Sequence, residues 1–174
     1  MNKKYSPKVY CLKVALKDIR PTIWRQFKVK SDITLNKLDQ VIQRVMGWTD
    51  YQRHKFRIGE HGYGPIDPDY DADAGGYTSR TGVRLDDVVP LDASVFAYEY
   101  DCQDGWAHKG DRWEHELKLE AIVLLDPAES YPVCLSGKRN CPPSRRRDIP
   151  NTPNTMGATG LGAGPTPRLS QSWR

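Results

Sequence analysis

Between Val29 and Leu35 the spacing of apolar residues changes period, and no other feature of the sequence narrows the possible folds as far. Upstream, Tyr10, Leu12, Val14 and Leu16 alternate with smaller or polar residues, and after Asp18, Arg20 and Pro21 the alternation resumes through IWRQFKV, residues 23–29. A period of two belongs to a half-buried strand, so the two runs read as a β-hairpin with Pro21 in or near the connection. Downstream, Leu35, Leu38, Val41, Ile42, Val45 and Met46 recur at helical spacing. Ser31, Asp32 and Thr34 precede them as capping candidates, and Gly47 follows as a natural stop. The spacing predicts an amphipathic helix of about three turns whose stripe lies across the hairpin, with all six side chains in the core. HKFRI, residues 54–58, is the next strand. The expected class is α+β: a mainly antiparallel sheet packed on a helix, with a β-grasp-like opening of hairpin then helix.

Residues 59–82 are so rich in Gly, Pro and Asp that they read as a long exposed loop. A short element follows at 83–90, then strands at 95–100 and 116–124. From Ser144 the chain has little apolar mass and no periodicity, so 144–174 reads as a disordered tail behind one domain, residues 5–143. A length of 174 residues suits one such domain. No apolar run approaches the roughly 20 residues that a membrane-spanning helix needs. The opening lacks the pattern of a signal peptide, and Cys11, Cys102, Cys134 and Cys141 are too scattered for a disulfide scaffold. A cytoplasmic protein without a cofactor is expected.

The net charge of +4 resides in the tail, where five arginines face one aspartate. The body is neutral but lopsided: residues 1–57 carry 14 basic against 4 acidic side chains, and residues 60–130 carry 5 against 17. Such a split either makes a dipolar surface that steers a charged partner or lets two segments neutralise each other in the fold.

Residues 103–116, QDGWAHKGDRWEHE, give nearly the same seven-residue phrase twice. Asp-x-Trp-x-His puts an acid, an indole and an imidazole on one face of a strand. The second copy supplies Asp111, Trp113 and His115, with Asp101 in reach; these four are the candidate binding residues. The first copy is expected as a surface insertion. A divalent metal would draw on Asp111, His115, Cys134 and Cys141, although the cysteine spacing is not that of a C-x-x-C knuckle. The bland alternative makes Trp113 core and leaves Asp111 and His115 hydrogen-bonded at a sheet edge. The aspartates between 67 and 73 suggest calcium, but an EF-hand loop from Asp69 needs Gly sixth and Glu twelfth, where Ala74 and Arg80 stand. No phosphate-binding glycine loop or triad-like spacing is present.

The phrases YCLKVALKDIRPTIWRQFKV, TLNKLDQVIQRVMGW, HKFRIG, GYGPIDPDYD, VRLDDVV, YEYD, GDRWEHELKLE and YPVCLSGKRNCPP, in this order, resemble the plasmid pRiA4b ORF-3-like family over residues 8–143. The resemblance implies a setting on plasmids and other mobile elements and no established activity. Some members have been compared with transposon resolvases, but the folded part offers no nucleophilic serine beside clustered arginines. This chain departs from the family pattern in writing the Trp-x-His phrase twice, in having Asp39 and Gln52 where members usually carry histidine, and in the sequence after Pro143. The combined expectation is a non-catalytic binding module associated with mobile DNA, whose partner is protein or nucleic acid. The alternative is a metal-dependent hydrolase or nuclease using Asp101, Asp111 and His115.

Overall fold

A computed structural model describes residues 8–48, 54–65, 77–89, 95–100 and 113–142. Asp101, Asp111, the first copy of the repeated phrase, most of the aspartate-rich loop and the whole tail lie outside the described residues.

The alternating runs form strands β1 (Lys8–Leu16) and β2 (Trp24–Lys30), paired antiparallel with Leu12 opposite Phe27. Helix α1 spans Leu35–Met46 and ends at Gly47, whose φ of 72° is the left-handed conformation that glycine adopts without a Cβ penalty. Thr34 stands at the N-cap but its hydroxyl caps nothing; Ser31 bonds instead to Asp86 at 3.2 Å. Five of the six stripe residues are buried and Val45 is half-buried. Leu38 and Ile42 are sealed completely, and each contributes about 1.5–3 kcal/mol of transfer free energy.

Strand β3 is His54–Ile58, and the segment expected to be loop pairs at once with it. β4 (His61–Gly64) runs antiparallel to β3, and β5 (Tyr77–Ser79) lies parallel to β4. Gly59, with φ 58°, makes the tight reversal possible, so the glycines there permit a hairpin where composition had suggested only irregular chain. The short helix α2 (Leu85–Val88) precedes β6 (Val95–Tyr100) and β7 (Trp113–Leu124). β8 (Val133–Lys138), which shows no clear alternation, closes the sheet beside β2.

The order across the eight-stranded sheet is β5-β4-β3-β6-β7-β1-β2-β8, antiparallel except at β4–β5. The hairpin-then-helix opening is present, and β1 finds its second neighbour in β7. β7 therefore sits inside the sheet, not at an edge, because β6 and β1 flank it. Register stacks side chains into rows on the α1 side: Phe56 opposite Tyr98, Tyr98 opposite His115, His115 opposite Leu16. Trp48, just past α1, stacks on Tyr100 at 4.8 Å and reaches Trp113 at 6.2 Å, which ties the helix end to the sheet centre.

Part of the charge asymmetry is neutralised within the fold. Lys17 pairs with Glu114 at 3.3 Å, Lys28 with Glu129 at 3.0 Å, and Lys55 and Arg57 both with Glu99, each joining the basic first third to the acidic middle. No described helix is long and apolar enough to cross a membrane.

Candidate functional site: a buried carboxylate centre and an open basic groove

Two residues on the buried side of α1 are not apolar. Asp39 and Gln43 are one turn apart, so they share a face, and Gln43 donates to Asp39 Oδ1 at 3.0 Å. Below them Tyr98 donates its hydroxyl proton to the same oxygen at 2.6 Å, the short distance typical of a charged acceptor. Oδ2 lies 3.0 Å from His54 Nε2 and 3.0 Å from Arg80 Nη1, and those two nitrogens also meet each other. One carboxylate thus gathers α1, β3, β6 and the turn after β5. It is 1% exposed, His54 is 4% exposed and Tyr98 is sealed, so the centre is a closed one.

Burial alone would raise the Asp39 pKa, but its donors His54, Tyr98 and Gln43 outweigh that and hold the group below the ordinary value, as a carboxylate. Burial, reinforced by the Asp39 charge, pushes the Tyr98 phenol well above its usual range, so it remains a donor. Neither group gains or loses a proton near neutral pH. The arrangement clamps the helix to the sheet.

Of the residues singled out from sequence, Trp113 and His115 lie together on the inner face of β7, both completely buried. His115 Nδ1 is 3.2 Å from the Tyr98 carbonyl, which it meets as a donor, and its ring stands edge-on to Trp48 at 5.2 Å. Nε2 is buried without a hydrogen-bond partner among the described residues. Burial lowers the His115 pKa from 6.5 to about 4, so the ring is neutral under ordinary conditions.

The two late cysteines serve other neighbours. Cys141 Sγ accepts from Arg25 Nη2 at 3.1 Å and lies 3.7 Å from Met46 Sδ; Cys134 donates weakly to the Ser136 carbonyl at 3.9 Å. Burial raises both thiols above their ordinary pKa. Among the described residues no three His, Cys, Asp or Glu side chains converge as metal ligands; Asp101 and Asp111 lie outside that set.

Arg25 is a second buried polar centre that alternation concealed, since it occupies an inward position of β2. It is 5% exposed and donates to the carbonyls of Val45, Trp24, Lys138 and Arg139. Its contact with Val45 places a cation at the C-terminal end of α1, where the helix dipole favours one. Gly137 leaves room for it: a Cβ there would be 2.5 Å from Arg25 Cδ.

The accessible concavity lies on the other side of α1. A groove of about 480 Å³ runs between the helix, the end of β2 and the β7–β8 connection. Lys30, Lys37 and Arg44 line it as cations, Asp32 is its one acid, Val29, Ile33 and Val41 contribute apolar lining, and Tyr131 and Pro132 come from the β7–β8 connection. Lys37, Gln40 and Arg44 are all exposed and follow one face of α1. The signal for Asp39 and Gln43 was in the sequence, as two polar residues inside an apolar stripe; nothing along the chain linked them to residues 54, 80 and 98.

Comparison with known proteins agrees with this architecture. The family model described as Plasmid pRiA4b ORF-3-like protein matches residues 8–109 and 110–159. The two segments meet at the join between the copies of the repeated phrase, and the second continues past position 143. The uncharacterized protein y4hQ of Sinorhizobium fredii is 33% identical over 132 residues, 76% of this chain. The match spans 63% of that relative's length. A crystal structure of a protein of unknown function from Methanosarcina mazei Go1 is similar with a TM-score of 0.67 and 31% identity, covering 79% of this chain and 72% of the other.

Proposed function

The chain belongs to the plasmid pRiA4b ORF-3-like family, and from that premise we propose that it is a non-catalytic binding module, cytoplasmic and associated with mobile DNA, whose protein or nucleic-acid partner presents negative charge. One contrast carries the reading. The polar groups that the fold gathers on its inner face, Asp39, His54, Tyr98 and His115, are at most 4% exposed, whereas the open groove on the far side of α1 offers cations. Chemistry needs groups that touch a substrate; recognition of an anion needs only exposed charge on a rigid frame. His115 as a hydrolytic base is disfavoured by its burial and by its low pKa. The division into a domain ending at 143 and a tail is part of the same proposal, and cutting at Ser144 should leave the melting transition in place.

Retention on immobilised heparin, a generic polyanion, tests the reading. The protein is expected to bind at about 50 mM salt and to elute as salt rises. Asp39→Asn should melt earlier yet be retained equally while folded. Passage of the folded wild-type protein straight through the column at low salt would remove the proposal, as would loss of retention in folded Asp39→Asn.

A further inference from the structure

We infer that the α1 groove binds the phosphate backbone of double-stranded DNA through Lys30, Lys37 and Arg44. The inference rests on the binding reading above and names its partner. Lys37 and Arg44 are seven positions apart, about 10 Å along the helix axis. One strand of a duplex rises about 3.4 Å per phosphate along its axis, so three cations spread over this distance can each meet a different phosphate. Lys30, at the end of β2, lines the same groove as the helix cations. Lys28 is outside the set because it does not line the groove.

The lining also chooses among polyanions. A single strand is gripped by rows of aromatic rings on which bases stack; this groove has one ring, Tyr131, whose hydroxyl is occupied by the Asp126 amide at 3.3 Å. A site with three cations and one ring is suited to backbone contact. A duplex carries one charge per about 1.7 Å of axis, twice the density of either strand alone, so duplex is the preferred occupant. Contacts of this kind position a protein without reading sequence. Asp32 opposes the anion at the groove and limits the affinity.

Fluorescence anisotropy with a labelled duplex of about 20 base pairs, titrated between about 50 and 200 mM salt, measures the effect. Three phosphate contacts give a log–log salt slope of about −2.7, which is a loss of about 40-fold in affinity over that range. Substituting Lys30→Gln, Lys37→Gln and Arg44→Gln together should reduce the magnitude of the slope by about 2.7 while the variant still folds. Lys118→Gln, on the opposite face of the sheet between buried Leu117 and Leu119, should keep the wild-type slope. The inference is overturned if heparin retains the protein while duplex DNA does not bind, if the folded triple variant binds duplex like wild type, or if a single strand of equal length binds as tightly as duplex. Failure on heparin strikes the binding reading itself and so is distinct from these three.

Discussion

Replacing His115 by Phe should change how stability depends on pH more than it changes stability at neutrality. In the folded chain the imidazole is completely buried, with its Nδ1 proton on the Tyr98 carbonyl and Nε2 facing no acceptor among the described residues. Adding a second proton would create a buried cation without a partner, which is why burial lowers the pKa to about 4 from 6.5. The unfolded chain protonates near 6.5, so between those values it binds more protons than the folded chain, and stability rises with pH. The contribution is complete above about pH 6.5 and is lost as pH falls toward 4. The displacement from 6.5 to about 4 corresponds to about 3 kcal/mol between pH 7 and pH 4. Phe fills a similar space against Trp48 but forfeits the bond to the Tyr98 carbonyl, about 1 kcal/mol. The variant should therefore be slightly less stable than wild type at pH 7 and about 2 kcal/mol more stable at pH 4. Asp39 and Glu129, whose pKa values are depressed, also cost stability in acid, but both proteins carry them and the difference between the curves removes them. Urea unfolding followed by tryptophan fluorescence at pH 7, 6, 5 and 4 reports the crossing directly. Parallel curves across that range would show that His115 takes up its proton without opening the core, and the reasoning would be wrong.

Three further outcomes test the two buried polar centres and the helix end by urea unfolding at pH 7. Tyr98→Phe deletes a 2.6 Å bond to a buried carboxylate and should cost about 2 kcal/mol, while Asp39→Ala, which strands Arg80 and His54, should cost about 3–5 kcal/mol; a smaller loss for Asp39→Ala than for Tyr98→Phe would contradict the hub. Gly137→Ala forces its methyl to within 2.5 Å of Arg25 Cδ and should cost about 1–3 kcal/mol, and in the Arg25→Met background that cost should shrink because the two side chains are coupled. Gly47→Ala meets no atom within 4 Å but must hold φ 72°, so a loss of about 1 kcal/mol from backbone strain alone is expected; a loss well above that would indicate a contact at the helix end.

The hairpin, α1 and β3 were readable because each writes its geometry as a period within a few residues, and Gly47 marks the helix end through its own φ preference. β4 and β5 were missed for the opposite reason: glycine and aspartate weaken a strand's pattern, and pairing with β3 supplied the order that composition did not. β8 was missed because none of its side chains is fully buried, so its faces need not alternate. Trp113 and His115 were readable as neighbours on one face, but their place inside the sheet was not, since β6 and β1 flank β7 and bury that face whatever its own pattern. By itself the sequence determined the opening hairpin, α1 and β3, because period is a property of the local backbone. Only the tertiary structure decided that Asp39, His54, Arg80 and Tyr98 meet while Lys30, Lys37 and Arg44 line an open groove, because a helix crossing a sheet brings together residues whose separation along the chain carries no pattern.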